Sequence, residues 1–537
     1  MMSHRDYSNY TTFLEVELAV MQDLGYKIDR KAFFGRSIYG NGGNIINNQG
    51  YFARNAEGTD YLADTYSLVP LGVGLHIYGS DNKVTQNADI MTNGVGAIGI
   101  RVDGTGNTLV VPEDTEIHAD GKRGNGLLIA YGRNHSINQV GAVTAKGEGG
   151  TGVRFDFGSS TNGALDEYRG SYIRYDRNVN KKSGEISSAT NLNLLDMGVK
   201  TYNSNVNELN GPLVENYNLS GTLIGSENAI YISKNAFVKN ININEGASIQ
   251  GNITSDWKQF GASACQGAYD GNNAGRDKLR IQYNEKWGGN GYEYDVYIPA
   301  LVTNLNFNTN MTYSGNITGE DNMKMNVNDG TLTYEGSADV VSVQVAKDAT
   351  LLGGTYKVNT ITQGNFFPKD ETTGQLINHG TIGASAADKN MTINGTLVSD
   401  GKLQAYGGGK GGQIEVIGEA HIDGSTVTAY NMLPGEENRT VLTATQSIKG
   451  NITNADKAVP VSGMLNARGK ISGNTITVDT IAANNLDTTD EEVIETYDDV
   501  IKMYDNMEEE KDQNVELHKL FTLSPKDARQ ALKEISS

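Results

Sequence analysis

The sequence predicts an all-β chain: a right-handed parallel β-helix with an N-terminal capping helix and a C-terminal helical linker. Three observations carry that prediction: a motif recurring about every 26 residues, an apolar/polar alternation inside the motif, and a composition rich in turn formers but poor in rigid breaks. The four clearest copies begin Gly74-Leu75-His76-Ile77, Gly99-Ile100-Arg101-Val102, Gly126-Leu127-Leu128-Ile129 and Gly152-Val153-Arg154-Phe155, at separations of 25, 27 and 26 residues. An Asn stands eight residues after each of the first three glycines, at Asn82, Asn107 and Asn134, and leads into a second apolar stretch with Val84, Leu109 and Ile137. A unit this short cannot bury its own apolar face, so copies must stack and share one core.

Alternation assigns the faces. Leu75, Ile77, Ile100, Val102, Val153 and Phe155 are expected to point inward, and His76, Arg101, Arg154 and Asp156 to solvent. Gly supplies 65 of the 537 residues, about 12% against a usual share of roughly 7%, while Pro supplies only 8. Gly and Asn tolerate the left-handed backbone of tight corners, which suits many short strands. Looser copies continue at Gly221-Thr222-Leu223-Ile224, Ile241-Asn242-Ile243-Asn244, Gly330-Thr331-Leu332-Thr333 and Gly395-Thr396-Leu397-Val398. The expected organisation is a helix in 1–30, a β-helix over 31–400 with an insertion near 257–299, a distal segment over 401–480 and an acidic helical stretch over 481–537. The insertion holds both Trp residues, Cys265 and a Tyr cluster.

The ends read as helices. Phe13, Val16, Val20 and Leu24 fall at helical spacing before Gly25, giving an apolar stripe that could cap the first coil. After Asp479 the period changes, and Val493, Tyr497, Val500, Ile501, Tyr504 and Met507 share one helical face opposite a dense acidic one. A further helix is predicted from Ser524, with Ser as N-cap and Pro525 in the first turn.

Charge and cysteine usage exclude some functions. The 44 Lys and Arg against 64 Asp and Glu leave a net charge of -20, which repels nucleic acid and anionic membrane surfaces. The single cysteine, Cys265, rules out an internal disulfide framework. No signal peptide or membrane-spanning helix is visible, and the expectation is a fragment whose targeting and anchoring parts lie outside it.

The segment Gly412-Gln413-Ile414-Glu415-Val416-Ile417-Gly418-Glu419-Ala420-His421-Ile422-Asp423-Gly424-Ser425-Thr426-Val427, followed by Val441-Leu442-Thr443-Ala444 and Ser447-Ile448-Lys449-Gly450-Asn451, resembles the late passenger segment of bacterial autotransporters. The stretch around Leu517-His518-Lys519-Leu520 and Leu523 to Leu532 resembles the linker into their outer-membrane barrel. The resemblance covers most of the chain. It implies an extracellular passenger, an autochaperone role for the distal segment, a translocator barrel downstream as partner, and anchoring at the cell surface. It further implies a structural stalk with an adhesive role in virulence, with host or neighbouring-cell surface molecules or matrix as partners. Residues 1–29, with Met2-Ser3-His4-Arg5 and Glu17 to Tyr26, also resemble the end of a zinc metalloprotease-like domain, although no His-Glu-x-x-His occurs in the chain.

Catalytic signatures are sparse, and no catalytic, cofactor-binding or metal-binding residue is assigned; the chain is not expected to be an enzyme. Gly94-x-Gly96-x-x-Gly99 matches a dinucleotide fingerprint in letters but belongs to the repeat and leads into a strand. Gly149-Gly150-Thr151-Gly152 resembles a calcium-binding nonapeptide, with Arg154 where that repeat needs Asp. His76 and His135 read as solvated surface residues. The rival functional class is a β-helical carbohydrate-active enzyme, with Asp103 and Asp156 as candidate acids, and a secreted protease-associated passenger is a further alternative. For adhesion, Tyr61, Tyr66, Tyr78 and Tyr131 are candidate contact residues.

Overall fold

The computed structural model describes residues 12–158, 211–233, 236–257, 302–320, 322–360, 372–409, 411–508 and 510–537, together with the backbone of three strands at 175–177, 278–282 and 293–297. The chain is an all-β, solenoid-like fold built on parallel ladders, and it divides into two units. One comprises the residues up to Asn308 with Gly315–Met325; the other comprises Thr309–Ser314, Asn326–Thr360 and Thr372–Ser537.

In the first unit each coil contributes three strands. One ladder stacks Phe34–Ile38, Val73–Ile77, Ile98–Val102, Asn125–Ile129 and Thr151–Phe155 in parallel, with Leu75, Ile100, Leu127 and Val153 in register. The second stacks Lys83–Gln86, Thr108–Val111, His135–Gln139, Val214–Leu219, Val238–Ile243 and Thr303–Phe307. The third stacks Ile90–Thr92, Glu116–Ala119, Ala142–Ala145 and the first part of Thr222–Ile232. The inward residues of successive rungs lie on one another, so Leu75, Ile100, Leu127, Val84, Leu109, Ile137, Ile90, Ile117 and Val143 are all buried. This is the core that the repeat predicts.

The glycine that opens each repeat has a packing cause. A Cβ on Gly99 would lie 2.4 Å from the Gly126 carbonyl oxygen of the next rung and 2.5 Å from Cγ2 of Ile117. Gly74, Gly126 and Gly152 are confined in the same way by the rung above each. Gly99→Ala is therefore expected to destabilise the first unit by about 1–3 kcal/mol through overpacking, read as a lower melting temperature. Gly40, where a Cβ would meet open space and the backbone is not left-handed, provides the neutral Gly→Ala control in the same unit.

The ladder does not follow chain order without breaks. The rung at His135–Gln139 pairs directly with Val214–Leu219, and Val238–Ile243 pairs with Thr303–Phe307. Two stretches thus separate adjacent rungs where the sequence suggested one. Tyr175–Arg177 from the first pairs antiparallel with Glu293–Tyr297 from the second, which also pairs with Lys278–Gln282. Most of the predicted insertion near 257–299, including Cys265 and Trp287, lies outside the described residues.

The second unit repeats the plan. Its ladders run through Thr331–Tyr334, Thr350–Leu352, Thr381–Gly383, Lys402–Tyr406 and Thr426–Tyr430; through Thr355–Val358, Met391–Asn394, Ile414–Ile417 and Arg439–Ala444; and through Ser342–Val345, Gln375–Asn378, Thr396–Ser399, Glu419–His421 and Ser447–Lys449. Parallel stacking thus crosses residue 400 without interruption. It ends where Arg439–Ala444 pairs antiparallel with Thr475–Ala482, itself paired with Leu465–Ser472.

Helices follow. In the helix Glu491–Asn506 Val493, Tyr497, Val500 and Tyr504 are buried, the face that periodicity picked out. They pack with Leu517 and Phe521 of the helix Val515–Thr522, Ala528 and Leu532 of the helix Pro525–Ser536, and Leu433, Met464 and Leu486 of the preceding chain. Ser524 caps this last helix, its hydroxyl accepting from the Asp527 N–H at 3.1 Å. The helix starts at Glu491 rather than just after Asp479, because Thr475–Ala482 is still a strand.

At the other end, Glu15–Asp23 is helical as predicted, but the stripe that was to seal the coil faces water. Phe13, Val16, Val20 and Leu24 are 63%, 47%, 52% and 70% exposed. Leu18 makes the apolar contact instead, against Phe34, Val73, Ile98, Leu128 and Ala130, which come from four successive rungs. The helix lies along the flank of the first ladder, and that placement alters the chemistry beneath it.

Candidate functional site

Three groupings of polar side chains are built on the first unit. The first lies under the N-terminal segment. His76, Arg101, Leu128 and Arg154 occupy one column of in-register positions on the outer face of the first ladder. His76 and Arg101, expected to be solvated, and the candidate acid Asp103 are buried at 1%, 2% and 4% exposure. Alternation identifies their face as outward, but a segment distant in sequence covers it. The hydroxyl of Thr12 accepts from Nη1 of Arg101 at 2.6 Å.

The buried charges are mutually paired. Arg101 Nε and Nη2 donate to Asp103 Oδ2 and Oδ1 at 2.8 and 3.1 Å, and His76 Nε2 lies 2.7 Å from Asp103 Oδ2. Burial by itself would raise the Asp103 pKa, but the Arg101 guanidinium and His76 outweigh it and hold the carboxyl well below the usual range. His76 Nδ1 and the hydroxyl of Ser37, in register on the adjacent rung, are buried without a hydrogen-bond partner. Ser37, His76 and Asp103 have the residue types of an acyl-transfer triad. Asp103, however, is clamped by Arg101, and the imidazole is sealed from any substrate.

Asp156, the second candidate acid, is partly buried and accepts from Arg154 Nη1 at 3.2 Å and the Gly158 N–H at 2.8 Å. It sits two rungs above Asp103, roughly 10 Å away by strand spacing, with Ala130 between them. The two carboxylates therefore do not flank a common bond.

His135 is also buried, contrary to its reading as a surface residue. It belongs to a corner stack: Asn82 Oδ1 accepts from the Gly43 N–H, Asn107 Oδ1 from the Asn82 N–H, and His135 Nδ1 from the Asn107 N–H at 2.8, 3.0 and 3.1 Å. Four residues back from each of the last two, Asn107 Nδ2 donates to the Asp103 carbonyl and His135 Nε2 to the Tyr131 carbonyl, at 2.7 and 2.8 Å. The imidazole thus does the work of an Asn side chain. The motif's Asn134 stands one position before that slot, with φ 56°.

Burial lowers the His135 pKa, so as pH falls the unfolded chain takes up a proton before the folded one does. Its contribution to stability is present above the unfolded value of about 6.5 and declines below it, by at most about 1.4 kcal/mol per pH unit. His135→Asn is expected to keep the fold and to remove that part of the acid sensitivity between pH 7.5 and 5. His135→Ala should cost about 1–3 kcal/mol by orphaning the Asn107 N–H. Melting curves across that range check both.

The second grouping surrounds His118 on the third ladder, and the sequence reading missed it. Asp120 accepts from the Tyr66 hydroxyl, the Thr144 hydroxyl and the Lys146 N–H at 2.8, 2.8 and 2.9 Å. Thr144 gives its proton to Asp120, so its oxygen is left to accept from His118 Nδ1 at 2.6 Å, while His118 Nε2 lies 3.2 Å from Glu116 Oε2. Partial burial, with the Asp120 carboxylate beside it, raises the Tyr66 pKa. The reachable acid/base couple is Glu116 and His118; Asp120 is saturated with donors. The alternation Glu116-Ile117-His118-Ala119-Asp120 placed three polar groups on one face, but only folding brought Tyr66 and Thr144 to them.

The third grouping is a file of amides on the second ladder. Asn218 Nδ2 donates to Asn138 Oδ1, Asn242 to Asn218 and Asn306 to Asn242, at 2.9, 2.8 and 2.9 Å. A parallel file links Asn216, Asn240 and Asn304 at 3.2 and 3.3 Å, and Asn308 donates to Asn244 at 3.0 Å. These side chains are partly exposed.

The candidate tyrosines are scattered. Tyr61 donates to the Lys31 carbonyl beneath Arg54, Tyr66 joins the His118 group, Tyr78 pairs with Tyr39 at 5.6 Å, and Tyr131 meets Phe157 edge-on at 6.3 Å. Gly96 and Gly149 adopt positive φ and lead into strands, as the repeat requires. Among the described residues no set of three His, Cys, Asp or Glu is placed to hold a metal ion, and no helix is long and apolar enough to cross a membrane. Comparisons with protein-family models, curated proteins and solved structures find no match to the chain.

Proposed function

We propose that this chain is the passenger part of an autotransporter-type surface protein, a right-handed parallel β-helix that acts as a structural stalk with an adhesive role. The stacking of three-stranded coils supports the reading, since such a solenoid presents long lateral faces rather than one pocket. In this reading the C-terminal helices close the distal end toward a translocator barrel, and the partners are molecules of another cell's surface or matrix. The test is retention of the purified chain on cells and on immobilised matrix. Saturable binding, competed by excess unlabelled chain, supports adhesion, whereas binding no greater than that of an unrelated acidic protein rejects it. Protease shaving of intact cells checks localisation, and the reading requires the chain to be removed while cytoplasmic proteins stay intact.

The Glu116–His118 couple beside Tyr66 and Asp120 favours a second reading, a β-helical carbohydrate-active enzyme. New reducing ends or unsaturated products from a polysaccharide panel, lost in His118→Ala, would put this reading first.

A further inference from the structure

We infer that the asparagine files of the second ladder form a docking surface for a neutral, extended β-linked polysaccharide, an inference that rests on the adhesive reading. A primary amide has two N–H donors and an oxygen with two lone pairs. In the file, Asn218 and Asn242 each use one N–H toward the rung below and one lone pair toward the rung above. On each of these two amides one donor and one acceptor remain for a ligand on this partly exposed face. Vicinal sugar hydroxyls, each both donor and acceptor, satisfy that pair together, whereas a folded protein surface offers few such unpaired couples.

Spacing and charge select the same partner. Rungs repeat at about 4.8 Å, close to the length of one sugar in an extended chain, and the four rungs carrying Asn138, Asn218, Asn242 and Asn306 span roughly 14 Å. Adjacent files stand two residues apart on the same face, so the amides form a grid. Val238–Ile243 pairs with Thr303–Phe307 without a register shift, which keeps the grid even. The grid itself is uncharged. At its edge Lys239 is paired with Glu215 at 3.4 Å. A net charge of -20 disfavours uronates, sulfated glycans and nucleic acid alike. The ladder hydrogen bonds also hold the amides in place before binding, which reduces the ordering cost.

Binding of the full chain to amorphous cellulose and to chitin, measured by depletion from solution, tests the inference. Val110 occupies the same file one rung before Asn138, so Asn218→Val/Asn242→Val fits the ladder; unchanged far-ultraviolet circular dichroism and exchange protection of Val214–Ile243 establish that the variant is folded. The expected result is binding to at least one of the two polymers, about tenfold weaker in the double variant. It should be unchanged in His379→Ala/Asp400→Ala, which removes an exposed ion pair in the other unit. Equal binding by the wild type and the asparagine variant overturns the inference. So does absence of polysaccharide binding by a chain that still binds cells or matrix, an outcome that leaves the adhesive reading intact. Failure to bind cells, matrix and polysaccharide alike rejects both.

Discussion

Arg101→Ala is expected to destabilise the rungs Val73–Ile77 and Ile98–Val102 by about 3–5 kcal/mol, the cost of leaving a buried carboxylate without its cation. Asp103 would keep only His76, in a site that excludes water. Because coils couple mainly to their neighbours, the loss should be local. Hydrogen exchange of peptides covering 73–103 is the appropriate measurement, and unchanged protection there would refute the account. The next coil supplies the compensated alternative: Leu128 stands in register with Arg101, and Ala130 takes the place of Asp103. The double variant Arg101→Leu/Asp103→Ala is therefore expected to recover most of the loss, since replacing a whole buried ion pair by apolar groups is often neutral. Acid should act on the wild type in the same direction. The Asp103 pKa is depressed, so its contribution is complete above the unfolded carboxyl value of about 3.9 and fades as pH falls toward the folded value. The double variant lacks that dependence.

In the second unit, Tyr334→Ala should cost about 3–5 kcal/mol. Tyr334 is buried between Tyr313, stacked at 5.9 Å and 27°, and Tyr356, at 5.7 Å. Removing the middle ring leaves a cavity lined by two rings that lose their contacts, beyond the area term. Tyr334→Phe keeps the rings and should cost only about 1 kcal/mol. Urea unfolding followed by exchange protection at Met311–Tyr313 and Thr355–Val358 separates the two variants. Equal midpoints for Ala and Phe would show that ring stacking contributes little.

The inward positions were legible because they depend only on local period. Leu75, Ile77, Ile100, Val102, Val153 and Phe155 alternate in the sequence and are buried as alternation requires. The helical face of Val493, Tyr497, Val500 and Tyr504 was legible for the same reason. The outward positions were not. His76 and Arg101 were read correctly as outward but wrongly as solvated, because solvation of a face depends on what lies over it. Here that is a segment about 60 to 90 residues away in sequence, anchored by Leu18 and Thr12. The helical stripe Phe13, Val16, Val20 and Leu24 failed conversely: periodicity found a helix but could not say which side docks.

The candidate sites divide along the same line. Each asparagine file is a local pattern repeated, visible in Asn240-Ile241-Asn242-Ile243-Asn244 and Asn304-Leu305-Asn306-Phe307-Asn308, yet the two sets face each other only because a ladder skips the residues between them. Tyr66, Thr144 and Asp120 come from three separate strands or loops, and no spacing announces their meeting. The sequence alone determined the fold class, the glycine at each repeat and the inward residues, since these follow from backbone sterics and the period of a stacked strand. Tertiary structure alone decided which outward groups are buried, paired or open to a partner, because burial of an outer face is set by chain that arrives from elsewhere.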